Sequence, residues 1–375
     1  MTAIEEIIRK QGGRLDSEAL EPLLRESYTY DKGRCLATLR EVIESSPTVE
    51  KIEFDIIDDY SFNAFACGEE GNYFIGINRG LISTIRLLFS RIFADSQLLP
   101  SIGNIQNESK EALPLLNKIS PNYEYTVGEL TPFNPPQDRE RLLNSKMMAE
   151  LALDLILAHE ISHIRRGHVD FAKERMGVIH DELHSLVSEE KYQYLSTRTL
   201  EMDADHGSVR DLLGSELDKL SNINKLPSWL KGFYRDDDFV LWRFSFVVSV
   251  VHRIFAVYRV NLNQSFQLTH PIPQIRSVIA LSEIMKYINE YNGIDLMIES
   301  TNQFGIPNAA ISAYNTAEIV MQKVTGNKLS ESQIRDVWGD YGQREINTLS
   351  DHYNKNLIEK LREYAHIGLQ LKELV

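Results

Sequence analysis

His159-Glu160-Ile161-Ser162-His163 sets two imidazoles four residues apart with a carboxylate between them, inside an apolar run of helical period. On a helix, positions i and i+4 share a face, so both rings can offer a nitrogen to one metal ion while Glu160 stands beside them, aimed at the water such a metal activates. A catalytic zinc takes three protein ligands and keeps one position for water, so another donor must come from elsewhere in the chain. Thr199-Leu200-Glu201-Met202-Asp203-Ala204-Asp205 supplies it, with Glu201 and Asp205 again four apart. Glu201 is the candidate third ligand. Asp205, one turn on, is placed to accept the spare ring N–H of a zinc-bound histidine, fixing its tautomer and raising its basicity. The competing reading is a solvated acidic helix face, because Glu201, Asp203 and Asp205 crowd together.

Two helices must carry these residues. Pro132, Pro135 and Pro136 close off a loop, Asp138 suits an N-cap, and Leu142, Leu143, Met147, Leu151, Leu155, Ala158 and Ser162 recur at threes and fours until Gly167 offers a stop. The histidines then sit on the last turns of a long, mostly buried helix. Residues 188–220 predict a second long helix bearing Glu201. Lys51–Ile57 alternates polar and apolar, and Asn63–Cys67 and Tyr73–Ile77 flank a Gly-Glu-Glu-Gly-Asn connector, which together predict a small sheet beside the first helix. Short helices are predicted at Ile4–Lys10, Ser17–Arg25 and Arg34–Ser45, and longer ones at Leu81–Ala94 and Ile279–Tyr291. Ser330-Glu331-Ser332-Gln333 fits a capping box, and the tail from Ile346 to Leu374 is amphipathic. Residues 95–137, rich in proline, asparagine and serine, read as an insertion or lid over the cleft.

HExxH followed by ExxAD resembles the gluzincin metallopeptidases, in particular the group containing the HtpX-type and CAAX-prenyl-protein proteases. Further stretches agree: His168 five residues after His163, Asn63-Ala64-Phe65-Ala66 leading to Gly80-Leu81, and His270-Pro271 with Arg276 downstream. The resemblance is stronger still to the smaller Lit family of phage-exclusion peptidases, soluble bacterial proteins with His-Glu-Ile-Ser-His, an acidic ExxAD segment and His-Pro followed by Arg. That resemblance covers roughly residues 50 to 285. It implies an α+β, predominantly helical fold with a zincin-like core. The catalytic domain would span 46–285, between helical extensions at 1–45 and 286–375.

One Zn2+ per chain, held by His159, His163 and Glu201, would acidify a water and polarise the scissile carbonyl. Glu160 would take the proton of that water and pass it to the leaving amine. The resemblance implies that an extended protein or peptide substrate pairs with the edge strand at Asn63, Ala64, Phe65 and Ala66. It also implies that His270 and Arg276 return to the site, as donors to the oxyanion or, for His270, as a resting-state zinc ligand; alternatively His270 caps a helix and Arg276 pairs with an acid such as Asp205. His168 is expected in a structural role next to the helix end, His206 in a packing or surface role, and His180, His184, His352 and His366 in solvent.

The rest of the chain bounds these readings. A net charge of −14 with no long basic run disfavours nucleic acid and anionic membrane. Phe239–Val260 is the most apolar stretch, but Arg243, His252, Arg253 and Arg259 interrupt it, so it reads as a core helix with basic residues at polar edges and not as a membrane span. Cys35 and Cys67 are too few for a disulfide framework, and the first residues lack a secretory pattern, so a cytoplasmic setting is expected. A zinc peptidase, of phage-exclusion type on the resemblance, stands against a zinc-bearing regulatory or sensor module that binds a protein partner. Glu160 favours the enzyme, because a structural zinc site has no use for a carboxylate beside an open position.

Overall fold

The computed structural model describes residues 3–69, 71–116, 131–176, 191–259, 271–290, 307–327 and 338–372. Helices dominate. In chain order they are α1 (Ala3–Lys10), α2 (Pro22–Ser45), α3 (Arg79–Ala94), α4 (Arg139–Arg165), α5 (His168–Met176), α6 (Lys191–Ser221), α7 (Asp237–Arg259), α8 (Pro273–Glu290), α9 (Asn308–Thr325), α10 (Asp340–His352) and α11 (Ile358–Leu361), with a π-helical turn at Tyr353–Leu357. Between α2 and α3 lies one three-stranded sheet, β1 (Lys51–Ile57), β2 (Ala64–Glu69) and β3 (Asn72–Asn78), in the order β1-β3-β2. β1 runs parallel to β3, and β2 pairs antiparallel with it in a hairpin that sets Ala64 opposite Ile77. This is the predominantly helical α+β architecture with a small sheet that the pattern predicts.

α4 is the axis of the molecule: α3, α6 and α7 pack along it, and β2 and β3 lie against it. Its start is set by Asp138, whose side chain accepts from the backbone N–H groups of Glu140 and Arg141. One turn in, Arg141 is fully buried and donates to the carbonyls of Phe93, Asp95, Leu98, Leu99 and Ile102. Glu108 lies 3.6 Å from its Nε. Loss of such a buried partner set costs about 3–5 kcal/mol, so this guanidinium anchors residues 95–102 to the helix. That part of the 95–137 segment thus sits at the end of α4 remote from His159, about 27 Å along the helix. Residues 117–130 lie outside the described residues.

Several boundaries differ from expectation. The two short helices predicted between 17 and 45 are one helix, α2, opened by Pro22 at its first turn. Leu24, Tyr28, Asp31, Cys35 and Leu39 form its buried stripe, and burial of that continuous face outweighs the roughly 1 kcal/mol that Gly33 costs in a helix interior. α8 starts at Pro273, ahead of the expected Ile279, because proline at N1 loses no hydrogen bond. The tail is helical only to Leu361, then runs as an irregular strap to Lys372. The capping box at 330–333 lies outside the described residues.

α7 is the buried core helix expected, yet its Arg243 and Arg253 do not lie at polar edges. Arg243 is 2% exposed and pairs with Glu216 of α6, and Arg253 lies 3.0 Å from Glu318 of α9. Acids on neighbouring helices balance the charges inside the core, which a single helix's pattern does not reveal. No described helix is long and apolar enough to cross a membrane.

Candidate metal centre

α4 ends because Gly167 takes φ +76, where a side chain would be strained, so the helix stops just after His163 and its last turn faces the cleft. α6 crosses close to this turn. A Cβ on Gly207 would lie 2.7 Å from Ser162 Oγ, so the absence of a side chain at 207 lets the two helices approach closely enough for their acids and imidazoles to meet.

There the structure brings together His159, His163 and Glu201, whose ligand atoms all lie within 4.8 Å of one another. Nε2 of His159 and Nε2 of His163 are 3.1 Å apart. Glu201 Oε2 is 3.2 Å from the first and Oε1 is 3.6 Å from the second. Donors bonded to a tetrahedral zinc at about 2.0–2.1 Å are about 3.3 Å from one another; the two imidazole nitrogens are close to that spacing, and each faces a different oxygen of Glu201 at a comparable distance. Electrostatics agree. Burial disfavours a cation on His159, but Asp205 and Glu201 outweigh it and raise its pKa to about 10, the field of a cation site.

Asp205 Oδ1 lies 3.0 Å from His159 Nδ1, on the side of the ring away from the cluster. Arg276 of α8 grips the same carboxylate through Nε and Nη2 at 2.7 and 2.6 Å. Burial resists ionisation of Asp205, yet Arg276 and His159 prevail and hold it well below the ordinary carboxylate range. The carboxylate therefore stays charged beside Nδ1 of His159, and Nε2 of the same ring faces Glu201 and His163. Arg276 occurs as the partner of Asp205, at the rim of the same cleft. His270 lies outside the described residues.

Glu160 is 6% exposed and opens onto this cleft, which is also lined by Asn63, Ala64, His252, Phe255 and Arg276. Of the strand residues singled out, Phe65 and Ala66 are buried in the sheet, while Asn63 and Ala64 reach the cleft wall. β2 is an edge strand, and no other described strand pairs with its outer side.

His252 was visible in the sequence only as an interruption of an apolar run. It sits in the cleft wall with Nδ1 3.3 Å from Ser277 Oγ, and burial drives its pKa down to about 3, so the ring is neutral. A histidine amid the apolar residues of α7 was the available signal. His352 and His366, expected in solvent, depart from expectation. His352 is buried with Nε2 3.0 Å from Ser196 Oγ, and His366 is half-buried between Thr48 and Tyr73, because helices and strap from the end of the chain fold back onto the core. His206 is buried 3.1 Å from Glu283. His168 packs against His163, and burial depresses its pKa. His180 and His184 lie outside the described residues.

A helix-borne pair of imidazoles, a carboxylate from a second helix and a further glutamate in the same cleft define a metallopeptidase type of site. Residues 32–199 match Peptidase family M48, a family of zinc-dependent peptidases, which supports zinc-dependent proteolysis of a protein substrate. The matched stretch includes His159, Glu160 and His163 and stops two residues short of Glu201. No curated protein and no solved structure matches the chain.

Proposed function

We propose that the protein is a gluzincin-type endopeptidase in which His159, His163 and Glu201 hold one zinc and Glu160 is the general base. The observation that carries this reading is the meeting of those donors, at zinc-compatible separations, in a cleft that Glu160 and the end of an edge strand share. Zinc, when bound, supplies Lewis acidity toward water and the scissile carbonyl.

The chain's own residues divide the remaining work. Glu160 takes the proton of the attacking water and returns it to the leaving amine, so one carboxylate serves as base and then acid. Asp205 keeps His159 in the ligating tautomer, and Arg276 keeps Asp205 ionised. The resemblance places an extended substrate beside β2, and the Asn63-Ala64 end of that segment, which lines the cleft, is where it would meet the substrate backbone. The neutral His252 and Phe255 wall the cleft from α7. His270, through its His-Pro motif, is assigned the oxyanion or resting-ligand role on the resemblance alone. The His-Glu-Ile-Ser-His and ExxAD sequences, shared with the phage-exclusion peptidases, favour a defence role in which a host protein is cut.

Mass spectrometry of new peptide termini in a lysate treated with the wild type and with Glu160→Gln tests the reading. Termini produced by the wild type alone are expected. Identical termini patterns with both proteins would leave a zinc-bearing partner-binding module in its place.

A further inference from the structure

His163 has a neighbour to which the peptidase reading gives no task. His168 is fully buried, its Nδ1 lies 3.1 Å from Nδ1 of His163, and its Nε2 lies 3.0 Å from Oδ2 of Asp203. Two ring nitrogens at that distance share one proton, and the chemistry at the far side of His163 decides which holds it. Nε2 of His163 must keep its lone pair to serve as a ligand, so Nδ1 carries the proton and donates to His168. Nδ1 of His168 accepts, which puts the proton of that neutral ring on Nε2, facing the Asp203 carboxylate. Every proton position along the line His163, His168, Asp203 follows.

Asp203 has no exposure at all, and a carboxylate so placed needs its oxygen sites filled. Oδ2 receives His168 and, at 2.6 Å, Nε of Arg166; Oδ1 receives Nη2 of Arg166 at 2.8 Å and Nζ of Lys372 at 2.7 Å. Arg166 belongs to the end of α4 itself. Lys372 comes from the strap that follows α11, more than 150 residues further along the chain.

That strap is seated at several points. His366 donates its backbone N–H to the carbonyl of Arg165, and its ring nitrogens lie 2.7 Å from Thr48 Oγ1 and 2.7 Å from Tyr73 Oη. Gly167 lies beneath the strap, where a Cβ would come 2.7 Å from the backbone nitrogen of Ala365. The π-helical turn presents Asn354, which binds both backbone groups of Lys372, donating to its carbonyl at 2.6 Å and accepting from its N–H at 2.7 Å. Such turns break helical register and are frequent at functional positions. The ring of Tyr353, from the same turn, lies 5.3 Å from the ammonium.

We propose that Lys372 is a positioning residue for the metal centre: docked by the strap, it holds Asp203, Asp203 orients His168, and His168 fixes the tautomer and aim of His163. This rests on the zinc reading above. Zinc retention and strap docking are then linked, and linkage is reciprocal, so zinc must tighten the strap as much as the strap tightens zinc.

Zinc affinity of the full chain, measured by competition with a chromophoric chelator, tests both directions together with hydrogen exchange over residues 362–372. Lys372→Met is expected to weaken zinc by about tenfold, near the lower end of the effect of an orienting partner, and Lys372→Arg to restore most of it. In the wild type, zinc is expected to slow exchange across the strap, a readout that needs no variant to fold. Unchanged zinc affinity in Lys372→Met, or exchange in the strap indifferent to zinc, would overturn the proposal while leaving the metal centre standing. A wild type that binds no zinc would overturn the metal reading and this inference with it.

Discussion

The two histidines of α4 proposed as zinc ligands are backed from opposite sides of α6, and the two lines of contact differ in length. His159 meets Asp205 directly, and Asp205 is gripped by one arginine from α8. His163 meets a second imidazole, which meets Asp203, which is shared by Arg166 and by a lysine from the far end of the chain. Asp203 and Asp205 are two residues apart, hence about 200° apart around the helix, so they straddle the helix that carries Glu201. What looks in sequence like an acidic cluster is, on the proposed reading, a ligand and two unlike supports. The short branch lies within helices packed on the core, whereas the long one includes an irregular strap that follows α11.

The largest effect lies outside both branches and checks that they serve the metal rather than the proton transfer. Glu160→Gln is expected to retain zinc and to lose about 10²–10⁴ in turnover, because it removes the base and leaves the ligands alone. Metal analysis beside a peptide-hydrolysis assay measures both. Loss of zinc in that variant would make Glu160 a ligand and redraw the site.

The next effect sharpens the short branch. Asp205→Asn is expected to weaken zinc by ~10–100-fold, since the amide no longer supplies the charge that sets the His159 tautomer and Arg276 loses its partner. Chelator competition measures it. An affinity equal to that of the wild type would reduce Asp205 to an acidic neighbour and remove the contrast between the branches.

How far the sequence exposed these two supports follows from their construction. His159, Glu160, His163, Glu201 and Asp205 were legible because each lies at helical spacing from a partner in the motif, and Asp138 and Gly167 marked the ends of α4 by capping chemistry. Asp203 carried no such signal. Its role depends on Arg166 and Lys372, which reach it only after the chain has closed on itself. The same reason hid His252, the burial of His352 and the internal ion pairs of Arg243 and Arg253, because a lone charged or polar residue in an apolar run does not name its tertiary partner. The fusion of α2 was hidden differently: a glycine inside a helix looks like a boundary until the buried stripe on both sides of it is seen to be continuous.

The smallest effect asks whether the branches are independent. Asp205→Asn and Lys372→Met act on different histidines through groups that share no direct partner, so their effects on zinc affinity are expected to add within about 0.5 kcal/mol. A double-mutant cycle reads this. Strong coupling would mean that the two supports move as one body.

The central claim is that zinc sits between the two helices on donors from each. The most direct test is an anomalous difference map at the zinc edge from crystals of the zinc-loaded protein. A single peak is expected within bonding distance of Nε2 of His159, Nε2 of His163 and the Glu201 carboxylate. A map with no peak there, or with the metal on His168 and Asp203 instead, would contradict it.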